Sequence, residues 1–72
     1  KPYLTYYEKV RIIAERTALL KDGAPPLVKN VKGISEEDIA KIELENRVIP
    51  FKIRRPMPNN EYELWKVSEL IQ

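Results

Sequence analysis

The sequence predicts a small α+β domain: two core helices with adjacent loops, followed by a C-terminal β-hairpin. Three observations predict it. Residues 5–25 carry apolar side chains at helical spacing between a start signal and a stop signal. Residues 35–46 repeat that arrangement over a shorter span. From Val48 onward the alternation switches to a period of about two. At 72 residues the chain has the size of a single domain, taken as 1–72.

The first helix is expected over about residues 6–21. Thr5 and Glu8 form a Thr-x-x-Glu capping box, in which the threonine oxygen accepts a free N–H and the glutamate accepts from the cap's own N–H. Gly23 allows the left-handed turn that closes a helix, Lys21 complements the free carbonyls, and Pro25 forbids continuation. Tyr6, Val10, Ile13, Thr17 and Leu20, flanked by Ala14, fall in one stripe roughly 80° wide, the expected core face. Ile12 and Leu19 land on the other side among Glu8, Glu15 and Arg16. They are either isolated exposed aliphatics or a second seam, edged by Arg11 and Arg16, that another protein covers.

Pro25-Pro26 favours extended backbone, and Leu27-Val28 is too short an apolar run to distinguish a strand from a packed loop. Lys29 to Gly33 reads as a polar loop closed by the glycine. Ser35 is the N-cap of the second helix, about 36–46, with Glu36, Glu37 and Asp38 opposing the helix dipole in its first turn. Ile39 and Ile42 mark its inner face. Glu43 lies only about 40° from Ile39, so either the apolar stripe is narrow or the carboxylate is paired at its edge. Asn46 is the expected left-handed cap.

The hairpin is expected over about 48–67. Ile49, Phe51 and Ile53 alternate with Pro50, Lys52 and Arg54, Pro56 to Asn60 form the turn, and Glu61 to Val67 return. A two-residue Asn59-Asn60 loop sets Arg54 opposite Trp65, with an apolar face of Phe51, Ile53, Tyr62 and Leu64. Phasing by one residue sets Ile53 there instead. The first register is preferred because it adds a cation–π contact. Leu70 and Ile71 are available to pack from the tail.

A domain this small buries only about 60% of its unfolded surface, and comparable domains add disulfides, a metal or a partner. With no Cys and no His, the partner is the route left open. The same absences exclude the usual nucleophile–base pairs. Gly23 and Gly33 are too far apart for a phosphate-binding loop, and the acids of residues 35–46 lack calcium-loop spacing. No catalytic residue, metal ligand, cofactor site or small-molecule substrate is therefore expected. There is no signal-peptide pattern and no run of about 18 apolar residues, and cysteine is absent, so the expectation is a cytoplasmic protein with no membrane partner.

Net charge is +2 but uneven: Glu36, Glu37, Asp38, Glu43 and Glu45 precede the basic block Arg47, Lys52, Arg54 and Arg55. Opposed blocks point to docking or mutual pairing. Lys52, Arg54 and Arg55 near Tyr62 and Trp65 also suit single-stranded nucleic acid, so a free-standing basic nucleic-acid-binding module is the alternative. The competing reading is an edge strand kept soluble by its charges.

Thr5-x-Tyr7-Glu8, Arg11, Arg16 and Gly23-Ala24-Pro25 in the first half occur in order with Ile49-Pro50-Phe51, Ile53-Arg54-Arg55, Pro58, Tyr62-Glu63, Trp65, Val67 and Glu69-Leu70 in the second. Across nearly the whole chain this resembles the omega-like small subunits of multisubunit DNA-directed RNA polymerases, in their archaeal form, subunit K. Three positions depart from the family pattern: Asn59-Asn60 after Pro58 replaces Asp-Gly, and Pro56 replaces an aromatic. The resemblance implies the archaeal form, in which the acidic N-terminal extension of the eukaryotic relatives is not expected. The resemblance implies the omega-like fold and a non-catalytic subunit of a nucleotidyltransferase complex. Such a subunit clamps the largest polymerase subunit, promotes its folding and assembly, and meets DNA only through the complex. It also implies that Arg11, Ile12, Arg16 and Leu19 contact the large subunit and that Gly23, Ala24 and Pro25 position the following segment against it. Arg16 then pairs with a partner group, or alternatively within its own helix.

Overall fold

Residues 2–70 and 72 are described by the computed structural model. Helix α1 (Tyr6–Lys21) and helix α2 (Glu36–Glu45) precede strands β1 (Lys52–Pro56) and β2 (Tyr62–Lys66), which form one antiparallel ribbon; short 3₁₀ turns occupy Pro58–Asn60 and Val67–Glu69. The α+β class is the one predicted.

Both helices start as their sequences dictate. Thr5 Oγ1 accepts the Glu8 N–H at 3.1 Å while Glu8 Oε1 accepts the Thr5 N–H at 2.9 Å, and Ser35 Oγ accepts the Asp38 N–H at 3.2 Å. Their C-termini share one motif. After α1, Ala24 N–H donates to the Leu19 carbonyl and Gly23 N–H to that of Leu20, with Gly23 at φ +101°. After α2, Val48 N–H donates to Glu43 and Arg47 N–H to Leu44, with the left-handed position falling on Arg47 (φ +58°). Asn46 itself keeps φ −83°. The expected cap was thus one residue early, because in this motif the left-handed residue lies beyond the last helical turn.

The buried face of α1 differs from the predicted stripe. Tyr6 is 80% and Val10 47% exposed, whereas Ile12, Arg16 and Leu20 are buried. The inward row is Glu8, Ile12, Arg16 and Leu20, four residues apart, with Ile13 and Thr17 beside it. Two of its four positions are charged, which disguised it as a solvent face. Ile12 joins Leu4, Leu44, Ile49, Val67 and Leu70 in the principal core, against which Phe51, Ile53 and Trp65 pack. The face is drawn round the helix by these C-terminal residues, whose position local periodicity does not encode. A second cluster, Leu20, Ile39 and Ala40, is covered by Val28, Val31 and Ile34. Residues 27 and 28 therefore lie in a loop, in which Val28 packs and Leu27 stays exposed, and Ile42 is only half-buried. Leu70 packs as expected; Ile71, paired with it in that expectation, lies outside the described residues.

The hairpin takes the other register. Asn59 and Asn60 both adopt left-handed backbone (φ +66° and +62°), Met57 N–H donates to the Glu61 carbonyl, and Pro56 belongs to the strand. Ile53 then faces Trp65, and Arg54 faces Leu64. The turn holds three residues, not two, and this shift exchanges faces. Tyr62 and Leu64 are 51% and 58% exposed, while Ile53 and Trp65 turn inward. The cation–π contacts move accordingly: Arg54 stacks on Tyr62 at 4.1 Å and Arg55 lies over Trp65 at 5.9 Å. Strand β1 begins later than expected, at Lys52, although the Phe51 carbonyl just before it already accepts the Val67 N–H.

Candidate docking surface

The centre of the molecule is an ion pair. Arg16 of α1 reaches Glu43 of α2, with Nε 2.5 Å from Oε1 and Nη2 3.2 Å from Oε2. Arg16 is 5% exposed and Glu43 fully buried. Each has a second bond to the same loop: Arg16 Nη2 donates to the Pro25 carbonyl at 3.0 Å, and the Leu27 N–H donates to Glu43 Oε2 at 2.8 Å. The pair therefore clasps both helices to residues 25–27. Among the described residues no buried side-chain nitrogen or oxygen lacks a partner, the condition under which a buried pair of this kind is tolerated.

A second fork ties the hairpin to the start of α1. Arg55 Nε and Nη2 donate to Glu8 Oε2 and Oε1 at 3.0 and 2.8 Å, and Nη2 also reaches the Tyr3 carbonyl. Arg55 is thereby committed to the fold, which leaves Lys52 and Arg54 as the basic residues that the outer face of β1 presents.

Both carboxylates titrate low. Arg55's hydrogen bonds, joined by the Thr5 contacts, outweigh burial and hold Glu8 below 4.5. Burial pushes Glu43 upward, but the Arg16 bonds, the Leu27 amide and the guanidinium charge together exceed it and leave that group lowered too. A carboxyl depressed in the folded state contributes stability above its unfolded pKa and loses it as pH falls through the folded value. Urea midpoints are therefore expected to be flat between about pH 6 and 8, since no histidine titrates there, and to fall progressively below about pH 5. A midpoint unchanged down to about pH 3 would contradict both clasps.

The residues expected at a partner seam separate in the fold. Ile12 is 5% exposed and belongs to the core, so its assignment to an outward seam is corrected; Arg16 braces the loop from inside. Within the chain its carboxylate partner is not a neighbour in its own helix but Glu43, 27 residues away. Leu19 is 44% exposed, and Arg11 lies outside, where it meets Glu15 at 3.3 Å. Gly23 and Pro25 are exposed and Ala24 half-buried, with Leu27 exposed just beyond them. The turn from Leu19 to Leu27 thus presents apolar side chains on a backbone fixed from below. Tyr6 and Val10, freed from the core, open onto a second apolar groove between the helices, lined also by Ala14, Glu37 and Lys41. Sequence reasoning missed Glu43 as the clasp acceptor. Its place beside Ile39 on the inner face of α2 was the available signal.

These features define a class: a small α+β domain with an internal ionic clasp and apolar surface left open on one helix and the turn after it. Residues 1–51 match the RNA polymerase Rpb6 family. The chain is 42% identical over 96% of its length to DNA-directed RNA polymerase subunit 6 of Acanthamoeba polyphaga mimivirus, of which it covers 17%. It is 40% identical over 97% to subunit RPABC2 of DNA-directed RNA polymerases I, II and III from Schizosaccharomyces pombe, of which it covers 49%. It is 40% identical over 99% to DNA-directed RNA polymerase subunit Rpo6 of Aeropyrum pernix, of which it covers 82%. The chain belongs to the Rpb6 family of RNA polymerase subunits. It spans about half the length or less of the first two relatives and most of the archaeal one.

Proposed function

We propose that this chain is a non-catalytic subunit of a DNA-directed RNA polymerase, of the archaeal subunit K type, that clamps the largest subunit and promotes its folding and assembly. The observation that carries the reading is family membership, with relatives named as polymerase subunits aligned over nearly the whole chain. The exposed turn supports it: Leu19, Gly23, Ala24 and Pro25, with Arg11 about two turns earlier on α1, form the surface offered to the large subunit, while Arg16 braces the turn from beneath and Ile12 anchors α1 in the principal core. A rigid apolar loop lowers the ordering cost of association. The working environment is the cytoplasm and DNA is met only through the complex. Among the described residues no helix is long and apolar enough to cross a membrane.

Replacing Leu19 by aspartate is expected to leave helical circular dichroism unchanged, because the side chain is 44% exposed, and to reduce incorporation into the polymerase at least tenfold. Co-purification followed by mass spectrometry reads the second effect. A variant that unfolds, or that still assembles normally, would remove Leu19 from the docking surface. The alternative of a free-standing nucleic-acid binder is separated by salt. Tight binding of DNA or RNA by the chain alone, weakening steeply with ionic strength, would favour it.

A further inference from the structure

Among the described residues no further strand is added to either outer edge of the two-stranded ribbon, and those edges differ. Val67 N–H donates to the Phe51 carbonyl and Met57 N–H to that of Glu61, so in an antiparallel ladder the odd residues of β1 face β2. The even positions, Pro50, Lys52, Arg54 and Pro56, turn their backbone outward. Proline has no N–H, which leaves two donors, Lys52 and Arg54, in a window closed at both ends. On the far edge of β2 the Lys66 N–H is already taken by Glu69 Oε1 at 2.9 Å.

The open edge of β1 borders a groove whose other wall is Arg11 and Ile12 of α1, with Phe51 and Ile53 from the strand. The two carboxylates that line it, Glu8 and Glu15, are engaged by Arg55 and Arg11. Lys52 and Arg54 stand on the solvent side of the strand, where a second copy of this chain would bring the same charges into opposition. An added strand places alternate side chains on opposite faces. Of the residues in and just before β1 that line this groove, Lys52 and Arg54 are exposed and Phe51 and Ile53 half-buried, so the two sets of an added strand would meet charge on one face and apolar surface on the other.

We propose that the outer edge of β1 accepts, as a third strand, a short extended segment of a partner polypeptide in which acidic and apolar residues alternate. The backbone supplies the attachment, as in other cases of strand addition, and the two faces of β1 supply the selection. This rests on the reading of the chain as a docked polymerase subunit, and the occupant belongs to another subunit of that assembly.

The test uses polymerase assembled with this chain. Residue-resolved hydrogen exchange is expected to slow the Lys52 and Arg54 amides at least a hundredfold from their intrinsic rates. Carbodiimide coupling is expected to join Lys52 to a carboxylate of an acid-rich partner peptide. Arg54→Pro deletes one outward N–H without touching a ladder bond and should lower the coupling yield at least tenfold. Arg54→Glu, which keeps the N–H, should reduce Lys52 protection by a similar factor and serves if the proline unravels the hairpin. Amides exchanging within tenfold of intrinsic rates, no coupling at Lys52, or coupling and protection indifferent to both variants would overturn the proposal. So would protection that nuclease treatment removes, which assigns the edge to nucleic acid. A wild-type chain absent from the polymerase would defeat the subunit reading itself, an outcome distinct from a chain present with an uncovered edge.

Discussion

Glu43→Leu is expected to destabilise the domain by about 3–5 kcal/mol, enough to unfold much of a population whose total stability is on the order of 5 kcal/mol. The leucine fills a similar space but leaves the Arg16 guanidinium, 5% exposed, without its anion and the Leu27 N–H without its acceptor. Arg16→Met does the converse damage, stranding a fully buried carboxylate. The double variant Arg16→Met/Glu43→Leu is the informative one. Its loss should be much smaller than the sum of the two, because no charge is then left buried alone. Urea unfolding of the four proteins closes the cycle, and additive losses would mean that the two side chains are not coupled. Because the clasp also holds the Pro25 carbonyl, the double variant should fold yet assemble poorly, separating stability from presentation of the turn.

Ile12→Ala is expected to cost about 2–5 kcal/mol, and Leu19→Ala less than about 1 kcal/mol. The two residues lie one heptad apart and look equivalent in the sequence, but Ile12 is 5% exposed among Leu44, Ile49, Val67 and Leu70, and Leu19 is 44% exposed. Removing methylenes from the first leaves a cavity between helix and tail; removing them from the second exposes little that was covered. Thermal or urea midpoints compare them directly. Similar losses for both would restore the single-seam view of α1.

The positions at which the fold was legible are those governed by local chemistry. Thr5 with Glu8, Ser35 with the acids after it, Gly23 before Pro25, and the change of period at Val48 each act through residues within about four positions, so α1, α2 and the ribbon were readable from the chain. The resemblance to omega-like subunits was also legible, because it rests on residue identity and order. What local pattern misjudged has a common cause. The inward row of α1 contains Glu8 and Arg16, which a hydrophobic stripe excludes, yet each is satisfied by a residue 47 or 27 positions away. The hairpin register turned on one residue of the turn, where two asparagines in left-handed backbone made a three-residue connection.

The sequence by itself determined where the two helices begin, the α+β class and the family, because caps, proline, glycine and periodicity act over a few bonds. Only the tertiary structure decided which face of α1 is inside, that Arg16 and Glu43 share one buried site, and that Leu19 stays outside while Ile12 does not. The physical reason is that a charged side chain is excluded from a core only while it is unpaired. Whether its partner arrives depends on how distant segments pack, a property of the folded chain and not of any stretch within it.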